Sequence, residues 1–137
     1  MYIFDTDTLS QLMRRVPSPT LIARFADTPP EHQFTSAITV GEMVYGACRS
    51  PQRDTLLHQF ESRLWPNLLI LPFDTLAAES YGRLRANLEQ EGLLLAEPDL
   101  RIASIALVHD LTLVTGNVRH FARVPRLRVE NWLVSSS

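Results

Sequence analysis

Short apolar runs alternate along this chain with segments of helical periodicity, and that alternation is the strongest constraint on its fold. Tyr2-Ile3-Phe4, Gln33 to Ser36, Leu68 to Leu71, Thr112 to Thr115 and a last run near Leu127 to Val129 read as strands. Pro17, Pro19, Pro29 and Pro30 bracket a helix near Thr20 to Ala26. Thr39 and Glu42 have capping-box spacing and open a helix that runs to about Arg49, followed by another from Gln52 to Leu64. Asp74 caps a long helix whose apolar positions Leu76, Ala77, Tyr81, Leu84 and Leu88 keep helical spacing, with Gly92 as its stop. Pro98 suits the first turn of a further helix carrying Ile102, Ala103, Ile105 and Ala106. Gly116-Asn117 reads as the turn after the fourth strand. Strands alternating with helices imply an α/β sandwich with a mainly parallel sheet. Such sheets take ligands outside the carboxyl ends of their strands.

A length of 137 residues predicts one domain spanning residues 1–137, and there is no internal repeat or low-complexity linker to divide it. Cys48 is the only cysteine, which excludes an intrachain disulfide or a cysteine zinc site and fits a reducing compartment. The opening Met1-Tyr2-Ile3-Phe4-Asp5 does not resemble a signal peptide, and no apolar run approaches the roughly 20 residues of a membrane span. A cytoplasmic protein with no membrane association is expected. All 13 basic residues are arginine, so mechanisms that need a Schiff-base or phosphate-loop lysine are excluded. The net charge of −2 does not announce a nucleic-acid partner, although local charge steers a polyanion more than the total does.

Three acids stand at element boundaries. Asp5 follows the first strand, Glu42 lies in the predicted first turn of one helix, and Asp99 in the first turn of another. Asn117 follows the fourth strand. In a parallel α/β sheet all four positions fall on the edge where strands end and helices begin. Carboxylates converging there repel one another unless a cation lies between them. Oxygen ligands of this kind select magnesium or manganese, and such an ion suits phosphodiester hydrolysis by a bound water. Taken singly, each acid also has a purely local reading: Asp5 as a helix cap, Glu42 as half of a capping box, Asp99 as a partner of a helix dipole.

Four segments together resemble the motifs of the PIN-domain ribonucleases, and within them the VapC toxins of bacterial toxin–antitoxin pairs. They are Tyr2-Ile3-Phe4-Asp5-Thr6, Ser36 to Gly46 centred on Glu42, Asp99-Leu100-Arg101-Ile102-Ala103, and Thr115-Gly116-Asn117-Val118-Arg119-His120-Phe121. The resemblance runs from Tyr2 to Trp132 and implies a PIN-like three-layer α/β/α sandwich with a short-stranded sheet. It further implies a metal-dependent endoribonuclease with catalytic residues Asp5, Glu42, Asp99 and Asn117. Of these, Asp5, Glu42 and Asp99 would hold Mg2+ or Mn2+. A cognate VapB-like antitoxin and a homodimer are implied partners, with RNA as substrate. The fourth motif often presents an aspartate where this chain has Asn117, whose amide can ligate a metal but brings no charge.

Arg119, just after the predicted site, is the arginine best placed to grip an RNA phosphate. His120, Trp65 and Trp132 read as structural. The helices from Thr39 to Leu64 carry Met43, Val44, Tyr45, Leu56, Leu57, Phe60 and Leu64, more apolar surface than one domain needs. That surplus predicts a groove for an amphipathic antitoxin segment, which would also set a basic residue near the acids. Two other functions stay open on sequence. Phe4-Asp5-Thr6-Asp7-Thr8 has the look of a haloacid-dehalogenase-type phosphatase motif, with Asp5 and Asp7 as nucleophile and acid. A non-catalytic domain that binds RNA or protein is the other.

Overall fold

The computed structural model describes residues 1–134. Among them β1 (Tyr2–Phe4), β2 (Gln33–Ser36), β3 (Leu69–Leu71), β4 (Thr112–Val114) and β5 (Val129–Glu130) form one sheet in the order β3-β2-β1-β4-β5. Every pairing is parallel. The helices are α1 (Thr6–Leu12), α2 (Pro19–Asp27), α3 (Ala37–Cys48), α4 (Arg53–Gln59), α5 (Thr75–Gln90), α6 (Glu97–Val108) and the single turn α7 (Val118–Phe121). No helix among the described residues is long and apolar enough to cross a membrane.

The two-residue period of the strands sorts the core into two layers of packing. Ile3 of β1 and Leu113 of β4 are buried on one face, against Leu84 and Leu88 of α5 and Leu100, Ile102 and Ile105 of α6. Their neighbours Phe4 and Val114 point the other way, against Leu9 of α1, Leu21 of α2 and Met43 of α3. Burying each such side chain contributes about 1.5–3 kcal/mol, which is what holds helices on both faces of so short-stranded a sheet. The result is the three-layer α/β/α sandwich expected.

From β1 the chain steps outward to β2 and β3, then returns through α5 and α6 to β4 on the opposite side of β1. The strand order therefore reverses between β1 and β4. A crevice opens outside the carboxyl ends at such a reversal. Asp5 continues β1 into that crevice, and Thr115-Gly116-Asn117 continues β4 into it.

Local signals placed most elements. Asp74 caps α5 by accepting from Ala77 N at 3.0 Å, and Gly92 takes φ +68 just beyond the helix end. Three expectations need correction. Helix α3 begins at Ala37, not Thr39, because the Ser36 hydroxyl accepts from Thr39 N at 3.0 Å and so caps it. There is thus no capping box, and Glu42 lies in the second turn rather than the first. The predicted helix Gln52 to Leu64 keeps regular geometry only to Gln59, then widens over Phe60–Leu64 and tightens over Trp65–Asn67. The apolar surplus on these helices is also smaller than expected. Met43, Phe60 and Leu64 are core residues, Val44, Leu56 and Leu57 are half-buried, and of the seven only Tyr45 is exposed, at 63%, with the Arg49 guanidinium over its ring.

Candidate active site

The crevice is an open cleft of about 590 Å³ lined by Asp5, Asp7, Glu42, Asp99 and Asn117, with Thr6, Ser10, Gly116 and Phe121 between them. It unites the four residues that sequence reading singled out. Among the described residues no basic side chain lines it. Among the described residues no three His, Cys, Asp or Glu side chains converge on one point, so the carboxylates ring the cleft without closing a cage.

Each of the three predicted ligands is held by a different element. Asp5 leaves β1 with its backbone N–H bonded to Val114 O, and its carboxylate accepts from Thr8 N at 2.8 Å. It is therefore both a helix cap and a wall of the cleft, so capping does not withdraw it from the cleft. Only 6% of Asp5 is exposed. Burial pushes its carboxyl above the usual range. Hydrogen bonds from the Thr115 and Thr8 side chains and the Thr8 N–H pull back, and the nearby Asp7 charge adds to the rise. Thr115 also accepts from Asn117 N at 3.0 Å, which ties the fourth motif to the first.

Glu42 projects from the second turn of α3, and the Thr6 hydroxyl donates to its Oε1 at 2.5 Å. Asp99 is in the first turn of α6, where two N-terminal acids complement the helix dipole. Its Oδ2 lies 3.0 Å from His120 Nε2 of α7. Asn117 opens α7 without using its side chain as a cap, and is exposed at the rim. Arg119 is exposed on α7 and forms no ion pair among the described residues, but it does not line the cleft.

Sequence reading missed Thr6, gave Asp7 a role only in the phosphatase alternative, and took His120 as structural without its contact to Asp99. Asp7 lies against the turn after β4, so closely that a Cβ at Gly116 would stand 2.6 Å from its Oδ2. That glycine was the available signal. Thr6 and His120 left none, since their partners lie 36 and 21 residues away. Trp132 is only 1% exposed and packs on Phe4 and Phe25, the structural role expected of it.

The donor set suits a hard cation. Among the described residues the cleft offers carboxylate and amide oxygens and no thiol or free imidazole, and an open ring matches an ion that keeps several waters.

The PIN domain family model matches residues 2–127. The chain is 36% identical over 135 residues to the Ribonuclease VapC2 of Haemophilus influenzae, covering 96% of this chain and 98% of that one. It is 39% identical over 100 residues to the tRNA(fMet)-specific endonuclease VapC of Salmonella typhimurium, covering 71% and 73%. The solved DNA-bound VapBC from Salmonella typhimurium superposes with TM-score 0.89 at 32% identity, covering 96% of this chain and 97% of that one. The match, together with the absence of lysine, decides against a haloacid-dehalogenase-type phosphatase. The chain belongs to the PIN domain family, and within it to the VapC ribonucleases.

Proposed function

We propose that residues 1–137 form a single endoribonuclease domain that hydrolyses RNA phosphodiester bonds with the help of Mg2+ or Mn2+, as the toxin of a VapBC-type pair. One observation carries this reading: among the described residues, four carboxylates and no basic side chain face one open cleft at the strand-order reversal. Such a surface repels a phosphodiester, so it can work on RNA only with a cation between. Asp5, Glu42 and Asp99 are the residues that would hold it, with Asn117 as a neutral donor at the rim. Bound there, a hard divalent cation lowers the pKa of a water and offsets charge on a phosphoryl oxygen.

The chain's own residues prepare that site. Asp5 is largely withdrawn from water, which strengthens its attraction for a cation. The Thr6 hydroxyl fixes one oxygen of Glu42 and leaves the other free. A non-catalytic binding role suits the cleft poorly, because an acidic ring is a weak way to hold a polyanion. The relative from Salmonella typhimurium is named for tRNA(fMet), which makes that transfer RNA the first substrate to try. A VapB-like antitoxin, a homodimer and a cytoplasmic location complete the proposal, by analogy with the VapBC assembly that this fold superposes on.

The chemistry of the product ends tests the reaction. Hydrolysis by an activated water leaves a phosphate on one fragment and intact ribose hydroxyls on the other. Attack by the RNA's own 2′-hydroxyl leaves a 2′,3′-cyclic phosphate instead. Fragments from the purified protein, analysed by mass spectrometry, are expected to carry no cyclic phosphate. A cyclic phosphate would contradict the proposed use of the carboxylates.

A further inference from the structure

Each of the three predicted ligands has at least one hydrogen-bond donor. Asp5 takes the Thr8 N–H, Glu42 the Thr6 hydroxyl, and Asp99 the His120 ring. Asp7, the fourth acid of the cleft, accepts no hydrogen bond among the described residues. The donors thus follow the three ligands rather than acidity as such.

The Asp99 contact needs more structure than the other two. The Asp5 and Glu42 contacts come from Thr8 and Thr6 of α1, next to the first motif. His120 is brought to Asp99 by a separate single-turn helix, α7, which is fixed by the buried side chain of Phe121 and by Phe121 N bonding to Asn117 O. The His120 and Phe121 rings meet edge to face at 5.3 Å, which sets the direction of the imidazole. An ionised carboxylate can only accept, so the 3.0 Å contact is Nε2–H donating to Oδ2. The Asp99 side chain is 32% exposed and has no other side-chain hydrogen bond among the described residues. Without the ring it would turn freely about two bonds.

We infer that His120 is a positioning residue: it takes one oxygen of Asp99 and so orients the other for a divalent cation. The inference rests on the reading of the cleft as a cation site. It is the arrangement by which an outer donor fixes a ligating carboxylate, and loss of such a donor typically lowers metal affinity tenfold to about a hundredfold.

The test is Mn2+ binding without RNA, read from the paramagnetic signal of the free ion. The parent, Asp99→Asn, His120→Ala and His120→Gln are compared, with thermal melts in chelator alongside. His120→Ala is expected to bind Mn2+ roughly tenfold to a hundredfold more weakly than the parent. His120→Gln keeps a donor at similar reach and should recover most of that loss, while the two variants melt alike without metal. Binding by His120→Ala as tight as the parent, or tighter, would overturn the inference and make the ring a bystander or a competitor of the ion. Glutamine failing to recover what alanine loses would overturn it too. If the parent binds no Mn2+, or Asp99→Asn binds it equally well, the cation site itself fails and the inference falls with it.

Discussion

An Asp5→Asn protein is expected to cleave RNA at least about a hundredfold more slowly than the parent, yet to melt at a higher temperature in metal-free buffer at neutral pH. The loss follows from removing one charge that attracts the cation, since about 3 kcal/mol of lost electrostatic stabilisation is roughly a hundredfold in rate. The gain in stability follows from burial. The Asp5 carboxyl has its pKa raised in the folded protein, so the folded state holds the proton more tightly than the unfolded chain. Stability from that source is fully present below the unfolded value of about 3.9 and is lost as pH rises through the higher native value. Asparagine does not titrate and still accepts from Thr8 N as a cap. The melting advantage of Asp5→Asn should therefore be present at neutral pH and close in acid. A variant that melts lower at neutral pH would show that the capping bond outweighs the desolvation.

Trp132→Ala is expected to destabilise the protein by about 3–5 kcal/mol, a fall in melting temperature of roughly 10 °C or more. The side chain lies beyond the residues matched by the family model and is only 1% exposed. Its ring meets Tyr2, Phe4 and Phe25 edge-on at 5.0, 5.1 and 5.4 Å. The Arg24 guanidinium lies 4.7 Å from its centroid, and Nε1 donates to Glu130, which Arg24 also pairs at 2.9 Å. The residue therefore pins the chain beyond β5 onto the Phe4 face of the sheet. If Trp132 instead served to stack on RNA bases, alanine would weaken RNA binding at unchanged melting temperature, and differential scanning calorimetry separates the two.

Most of the sheet was legible in the sequence, because β1, β3 and β4 are rich in apolar residues and bounded by turn or cap residues; the limits of β2 match at both ends although only Phe34 in it is apolar, and β5 lies slightly later than the Leu127 to Val129 expected. Asp5 and Asp99 were legible for a related reason, as acids directly beside such boundaries. The exit from β2 was not. Ser36 ends the strand and caps α3 with no loop between, and Thr39 two positions inside the helix offered a more familiar signal. Single-turn α7 is too short for any periodicity to declare it. The apolar residues of α3 and α4 were countable, but which of them the sheet face covers depends on packing that no count contains; Met43 and Tyr45 are two residues apart and end on opposite sides of that line. The same holds for the tethers on Glu42 and Asp99, which exist only once α1, α3, α6 and α7 meet around the cleft.

Cleavage of a labelled RNA by the purified protein, followed through chelation and re-addition of metal, tests the central claim most directly. The acidic cleft predicts that cleavage stops in EDTA and returns with Mg2+ or Mn2+, while Asp5→Asn and Asp99→Asn stay inactive at the same metal concentration. Cleavage that continues undiminished in EDTA, or that either variant carries out as fast as the parent, would contradict it.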